Sequence, residues 1–257
     1  MEVLFLGTCA YDYSPKLNDE FLNAFDWDAR RSSCLLMEGK YLIDCGDHAL
    51  DSLRIAGIDL SAISDVFISH LHRDHYNANH IQVIAMAKKE KLRVWVREGA
   101  NVPAMKNVEV VSMKCGEEYT VDDGVFVMGT EANHDPKASP EHFLFKVAGK
   151  SFLYACDGAW FCVDTYYRLR NTKLDLLVVD ATCGDYLGDY RIGEHNCIPM
   201  LRVMMPSLKT FGAITDDTQI YLSHIAPSLH KPHKEIEQSV RADGWKVAYD
   251  GLKVAVK

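Results

Sequence analysis

Short apolar runs separated by turn residues set the rhythm of the chain. Residues 3–6 predict a strand, and Ser33-Cys-Leu-Leu-Met37 and Lys40-Tyr-Leu-Ile-Asp44 flank Glu38-Gly39 as a hairpin. Leu50, Leu53 and Ala56 fall at helical spacing within 49–56, and Gly57 can supply a left-handed cap. Asp65-Val-Phe-Ile-Ser-His70 has the pattern of a buried strand, followed by a helix over 81–87 and a strand over 93–96. Further strands are predicted at 119–121, 125–128, 142–147, 151–155, 176–179 and 219–223, with short ones near Lys246 and Leu252. Helices are predicted at 164–170, 197–205 and 234–242. Two strand-rich halves with interspersed helices predict an α/β layered sandwich.

One stretch has no clear period. Residues 11–31 contain Phe21, Leu22, Phe25 and Trp27, and loops of that size are usually functional or carry a short helix, so a lid or pocket wall is expected there. No Pro/Gly/Ser linker, change of charge or internal repeat divides residues 1–257, which predicts a single domain.

Composition narrows the functional classes. The chain is 48% hydrophobic and 25% charged, enough apolar material for a full core, and its apolar runs are strand-length rather than the roughly 20 residues of a membrane span. The amino terminus has no basic segment or cleavage site, so an unexported cytoplasmic protein is expected. Cys9, Cys34, Cys45, Cys115, Cys156, Cys162, Cys183 and Cys197 are scattered without a CxxC, which predicts reduced thiols. A net charge of -8 argues against a general nucleic-acid binder, because nonspecific affinity comes from Lys and Arg neutralising phosphates. Small or weakly charged substrates are favoured. The oligomeric state is left open by the sequence, a homodimer being one candidate because homodimers are the commonest assembly.

The strongest chemical signal is Ser69-His70-Leu71-His72-Arg73-Asp74-His75, directly after the strand at 66–68. In extended backbone His70, His72 and Asp74 can point to one side, and the turn into the next helix brings His75 beside them. Zn, Mn or Fe accepts imidazole nitrogen and carboxylate oxygen, and this density of both suits two ions. The competing reading, a solvated polar turn, would leave several desolvated imidazoles to be satisfied separately.

His70-Leu-His-Arg-Asp-His75 resembles the HxHxDH motif of the metallo-β-lactamase superfamily. Phe5-Leu-Gly-Thr8, Arg31-Ser-Ser33 and Leu42-Ile-Asp-Cys-Gly46 are similar to the opening strands of its ribonuclease Z and cyclic-phosphodiesterase branch. Asn133-His134 resembles the third histidine position, Leu153-Tyr-Ala-Cys-Asp157-Gly158 the strand of the bridging aspartate, and Leu222-Ser-His224 the histidine ending a late strand. The resemblance covers residues 3 to about 225. It implies a four-layer αββα sandwich with two divalent metal ions along one edge. His70, His72 and His134 would hold one, Asp74, His75 and His224 the other, and Asp157 would bridge them.

His142 is the alternative third ligand, although it begins an alternating strand and better fits a pocket wall. Asp180 also ends an apolar strand, and its expected role is to hydrogen-bond the distal nitrogen of a ligating histidine. His48 and His80 read as satisfied surface residues, and His230 and His233 as a solvated helix start. His195, in Arg191-Ile-Gly-Glu-His-Asn196, resembles the loop histidine that phosphodiesterases of this branch place near the scissile phosphate. It is the candidate proton donor to the leaving oxygen, the alternative being a polar residue at a helix start.

The reaction implied is hydrolysis of a small or cyclic phosphodiester through a metal-bridging hydroxide, with Asp74 orienting the nucleophile as well as ligating. A lactonase or thioesterase could use the same site on a carbonyl without an acid at His195. The family's structural zinc on a Cys pair is not expected, since Cys9 runs into the 11–31 insert, and the lack of a basic arm disfavours transfer-RNA processing. A noncatalytic scaffold is disfavoured because every ligand position is filled. Specificity is expected from the insert and from residues near His142, Trp160 and Tyr186.

Overall fold

Strand alternation decides the layering of the protein, whose computed structural model describes residues 1–256. In β1 (Glu2–Gly7) and β2 (Cys34–Met37), Val3, Phe5, Leu35 and Met37 face a second sheet, while Leu4, Leu6, Cys34 and Leu36 face outward onto helices. The first sheet continues through β3 (Tyr41–Ile43), β4 (Asp65–Phe67), β5 (Leu92–Arg97) and β6 (Val108–Met113), and the late strand β14 (Lys253–Ala255) completes its other edge. The second comprises β7 (Glu118–Asp122), β8 (Val125–Glu131), β9 (Glu141–Val147), β10 (Lys150–Ala155), β11 (Leu176–Asp180), β12 (Gln219–Ser223) and β13 (Lys246–Val247), adjacent in that order.

Phe67, Phe143, Phe145, Phe152 and Val178 fill the space between the sheets, each at 0% exposure, and burying such a side chain stabilises by about 1.5–3 kcal/mol. Helices α1 (Ala49–Ile55) and α2 (Ala78–Met86) cover the first sheet through Leu53, Ile81 and Ile84. Helices α3 (Val163–Leu169), α4 (Ile198–Thr210) and α5 (His233–Val240) cover the second through Leu169, Leu201, Met204 and Ile236. The result is the expected αββα sandwich.

The hairpin forms where expected, but with Met37 opposite Tyr41, so that Lys40 belongs to the turn, and both Glu38 (φ 53°) and Gly39 (φ 67°) take the left-handed conformation of a tight hairpin turn. Strand β6 has no counterpart in the sequence reading, because it is an edge strand whose Glu109, Val110 and Ser112 are exposed or polar rather than alternating. Helix α4 runs past the predicted end at 205, through Pro206, because Leu208 continues the buried stripe of Leu201, Met204 and Met205. Packing there outweighs the backbone hydrogen bond that proline removes. Helix α5 stops at Val240 rather than 242, giving way to a single 3-10 turn at Arg241–Asp243.

Residues 11–31 contain one 3-10 turn, Pro15–Asn18, which buries Leu17. The segment is tied down by charge as much as by apolar contact. Arg31 donates to the carbonyls of Phe21 (2.5 Å) and Ala24 (3.1 Å), and the fully buried Arg30 donates to Thr8 Oγ1 (2.7 Å) and His233 Nδ1 (2.8 Å). Cys9 bridges to Ser32 and to Ile225, bringing both ends of the segment to the strand-end edge of the second sheet. Among the described residues no helix is long and apolar enough to cross a membrane.

Candidate metal centre

The parallel strands β3, β4, β10, β11 and β12 end at one edge of the sandwich. Just past three of these ends, Asp44 (φ 62°), Asp157 (φ 61°) and His224 (φ 55°) take left-handed conformations that non-glycine residues rarely adopt. Each turns its side chain at a strand end, and strain of this kind concentrates at functional sites. The loop after β4 carries His70 to His75 and packs closely on Gly46. A Cβ there would collide with the carbonyl of Asp74 and lie 2.7 Å from the amide of His75, so only glycine allows the approach.

The structure brings together all of the ligands expected from the sequence. His75 Nε2 and His224 Nε2 are 3.1 Å apart, and Asp74 Oδ2 lies 3.4 and 3.6 Å from them. Asp157 Oδ2 lies 3.3 Å from His75 Nε2 and 3.4 Å from His224 Nε2. These spacings are close to the roughly 3.3 Å edge of a tetrahedron whose centre is about 2.0–2.1 Å from each donor, the geometry of zinc with nitrogen and oxygen ligands. The second group is His70, His72, His134 and Asp157. There His134 Nε2 lies 3.0 Å from His72 Nδ1, and His70 Nε2 lies 3.1 Å from Asp157 Oδ2. His70 Nε2 and Asp157 Oδ1 are buried with no hydrogen bond of acceptable geometry, an expensive arrangement unless a cation satisfies them. The donor set fits two divalent cations sharing Asp157.

A shell of hydrogen bonds orients these donors. Asp44 Oδ2 meets His75 Nδ1 at 2.7 Å and accepts from Ser69 Oγ and Tyr154 Oη, both at 3.0 Å. On the opposite sheet Thr182 Oγ1 lies 2.7 Å from His224 Nδ1 and donates to Asp180 Oδ2 at 2.8 Å. Asp180 Oδ2 is itself 3.4 Å from His224 Nδ1, so the nearest hydrogen-bond partner of that histidine is Thr182 rather than the carboxylate expected there. Sequence reasoning missed Asp44, Thr182 and Tyr154 as orienting residues. Asp44 stands in the Leu42-to-Gly46 segment that carried part of the family resemblance, which was its one signal.

Electrostatics follow from this crowding. Burial opposes charge on Asp74, yet His75 and His224 hold its carboxyl well below the usual range. Asp157 behaves alike: burial is outweighed by His224, His195 and His70. Burial, reinforced by the charge of His75, presses His70 down to about 4, leaving a neutral imidazole suited to ligation.

His195 lies at the same centre, its Nδ1 2.9 Å from Asp157 Oδ1 and 3.1 Å from Asp180 Oδ2, with its ring stacked on that of His224. Burial works against its charge, but the two carboxylates raise it to about 11. With Nδ1 held by Asp180, Nε2 is the nitrogen left for a ligand. A pocket of about 440 Å³ opens over the centre, lined by Tyr11, Asp12, Arg73, Arg191, Glu194 and His195 beside the donor residues.

Several expectations change. His142 is 0% exposed and packs edge-on to Phe161 beneath the site, outside both donor groups and away from the pocket wall. Its ring lies against Gly158, with Nε2 2.6 Å from where a Cβ on that glycine would stand. His233 is buried beside Arg30, and His230 Nε2 bonds the carbonyl of Ala181 at 2.7 Å, so neither is a solvated helix start. His80 Nδ1 bonds the Gly46 carbonyl at 2.8 Å, and His48 receives the Ser32 amide at Nδ1. Trp160 and Tyr186 do not line the pocket over the metal centre; Tyr186 belongs to a separate cavity near His230.

Comparison with known proteins defines the class. The chain superposes on the metallo-β-lactamase fold protein YhfI from Bacillus subtilis with a TM-score of 0.73 at 14% identity, covering 98% of each chain. It superposes on Zn2+-bound PqqB from Methylobacterium extorquens with a TM-score of 0.72 at 16% identity, over 99% of this chain and 100% of the other. A diphosphatase of the PhnP family aligns with a TM-score of 0.73 at 18% identity, over 98% and 96%. The chain therefore has the metallo-β-lactamase fold, with a cluster of His and Asp residues able to hold metal at its strand-end edge. A family model described as the anti-Pycsar protein Apyc1 matches residues 23–99, a stretch that includes the His70 to His75 motif. No curated protein matches the chain in sequence.

Proposed function

We propose that the protein is a metal-dependent hydrolase of small or cyclic phosphodiesters. The observation that carries the reading is His195 on the wall of the same pocket as the paired donor groups, its Nδ1 hydrogen-bonded to Asp180. Two divalent cations, zinc, manganese or iron by the nature of the donors, would supply a water ionised near neutral pH and charge stabilisation for the phosphate. His70, His72 and His134 would hold one, Asp74, His75 and His224 the other, and Asp157 would be shared.

The remaining chemistry belongs to side chains. Asp74 accepts a hydrogen bond from the attacking water through the carboxylate oxygen that does not ligate. His195 keeps a proton on Nε2 because Asp180 stabilises its charged form, and delivers it to the departing alkoxide. A carbonyl substrate has less need of that proton, which is why the placement of His195 favours phosphodiesters over lactones and thioesters. The pocket has the volume of a small-molecule site, and a net charge of -8 offers no basic track for a polynucleotide. The PhnP-family protein that shares the fold is a diphosphatase, which is phosphoryl chemistry as well. The free cysteines suit a reducing, cytoplasmic setting.

The test is turnover of bis(p-nitrophenyl) phosphate by manganese- or zinc-loaded protein, beside an Asp74→Ala variant purified identically. Turnover lost in the variant supports the reading. No turnover by wild-type protein with both metals bound overturns it in favour of lactones or thioesters.

A further inference from the structure

The edge of the sandwich away from the metal centre holds a second concave feature. Strand β5 runs parallel to β4, so its first residue, Leu92, lies at the edge opposite the loop that carries His70 to His75. A cavity of about 370 Å³ opens there, lined by Lys88, Lys89, Lys91, Lys106, Asn107 and Met86. Among the described residues none of these four lysines forms an ion pair, whereas Lys40, Lys146, Lys150 and Lys209 each meet a carboxylate within 3.1 Å. In a chain of net charge -8, four unpaired ammonium groups around one cavity stand apart from the rest of the surface.

The walls of this cavity are fastened together. Asn107 takes a left-handed conformation (φ 59°), and its Nδ2 lies within hydrogen-bonding distance of the carbonyls of Ala85 (2.8 Å), Lys88 (3.2 Å) and Glu90 (3.1 Å). The Gln82 amide makes two bonds with the backbone of Lys106, both 2.8 Å. Lys106 is thereby fixed beside the end of α2 and the turn after it. The same bonds occupy carbonyls at the helix end that would otherwise turn an anion away.

We propose that this cavity binds a compact polyanion carrying two or more phosphate groups. Ammonium groups act as point charges for phosphate oxygens, and only Lys88 has given a donor to the protein, at the carbonyl of Ser61 (3.0 Å). The volume is that of a small-molecule site. Glu90 and Glu109, close along the chain to the lining residues, are exposed, so a compact ligand suits the surroundings better than a polynucleotide. Lying at the opposite edge, such a ligand leaves the metal centre free, and the inference does not depend on the reaction performed there.

Tripolyphosphate is the probe, added to isotope-labelled, zinc-loaded protein and followed by amide chemical shifts. Saturable shifts are expected at residues 85–91 and 104–107, with binding about tenfold weaker when salt is raised from about 50 to about 200 mM. Inorganic phosphate should bind at least about tenfold more weakly than tripolyphosphate. The double variant Lys89→Gln, Lys106→Gln should lose saturable binding. Lys173→Gln, Lys209→Gln removes the same charge elsewhere on the surface and should bind as wild type does. Shifts in the His70 to His75 loop report separately on metal loss or on anion at the metal centre. Shifts confined to that loop, equal affinity for inorganic phosphate, or equal losses in the two double variants would each overturn the proposal.

Discussion

Asp44 Oδ2 lies 2.7 Å from Nδ1 of His75, so this carboxylate decides how the His75 imidazole is turned and which nitrogen it offers to the cluster. The same carboxylate oxygen collects Ser69 and Tyr154. Asp44→Asn is therefore expected to lower metal affinity roughly 10- to 100-fold, the usual effect of removing such a partner. Competition against a chromophoric chelator measures it, and an affinity equal to wild type would refute the role.

His195→Ala should separate substrates by leaving group. A diester with an alkyl leaving group needs its proton and should lose roughly 10²–10⁴ in kcat, whereas a p-nitrophenolate leaves readily and should lose far less. Equal losses for both would make His195 a ligand or packing residue rather than a proton donor.

Gly46→Ala places a methyl group against the Asp74 carbonyl and the His75 amide. We expect the protein to fold but bind about one metal equivalent instead of two, read by elemental analysis after desalting. Gly57→Ala is the control: Gly57 is left-handed (φ 69°) with nothing near its Cβ, so the change should cost about 1 kcal/mol and leave metal content alone.

His142 gives the protein an acid-sensitive position. Burial, its largest influence, lowers it to about 4 from 6.5. As pH falls, the unfolded chain takes up the proton first, so the stability contributed by this residue is complete above about pH 6.5 and lost towards pH 4. By pH 5 that loss is about 2 kcal/mol. Urea melts of wild type and His142→Phe in chelator at pH 7 and pH 5 should show the gap between them shifting by that amount in favour of the variant. A gap that does not change with pH would show that His142 is not held neutral.

Chelation itself should be visible in heat. A cation at a hundred times its dissociation constant stabilises by about 2.7 kcal/mol, so removing two should lower Tm by roughly 10 °C or more for a chain of this size. Wild-type Tm unmoved by EDTA would argue against occupied sites.

Much of this architecture was legible in the pattern of the chain. Leu35 to Met37 alternates between two apolar environments, and Leu177 to Val179 is apolar throughout, because these strands are covered on both faces. Motif residues His70 to His75 are contiguous, so their clustering could be read locally. What escaped was nonlocal or overridden. Strand β6 is an exposed edge without alternation, and α4 crosses Pro206 because Leu208 has a place in the core. Asp44 and Thr182 act only through partners far along the chain, at His75 and His224. His142 and His233 are polar residues whose burial depends on Phe161 and Arg30, which no local pattern announces.

The donor groups divide evenly between the sheets: His70 and His72 from one with His134 and Asp157 from the other, and Asp74 and His75 with Asp157 and His224. Each cation would act as a rivet through both layers at an edge where apolar packing gives way to buried charge. Emptying the site should let that edge breathe while the opposite edge stays closed. Amide exchange ought then to quicken first in the loops after β4, β10 and β12, well before the molecule unfolds as a whole.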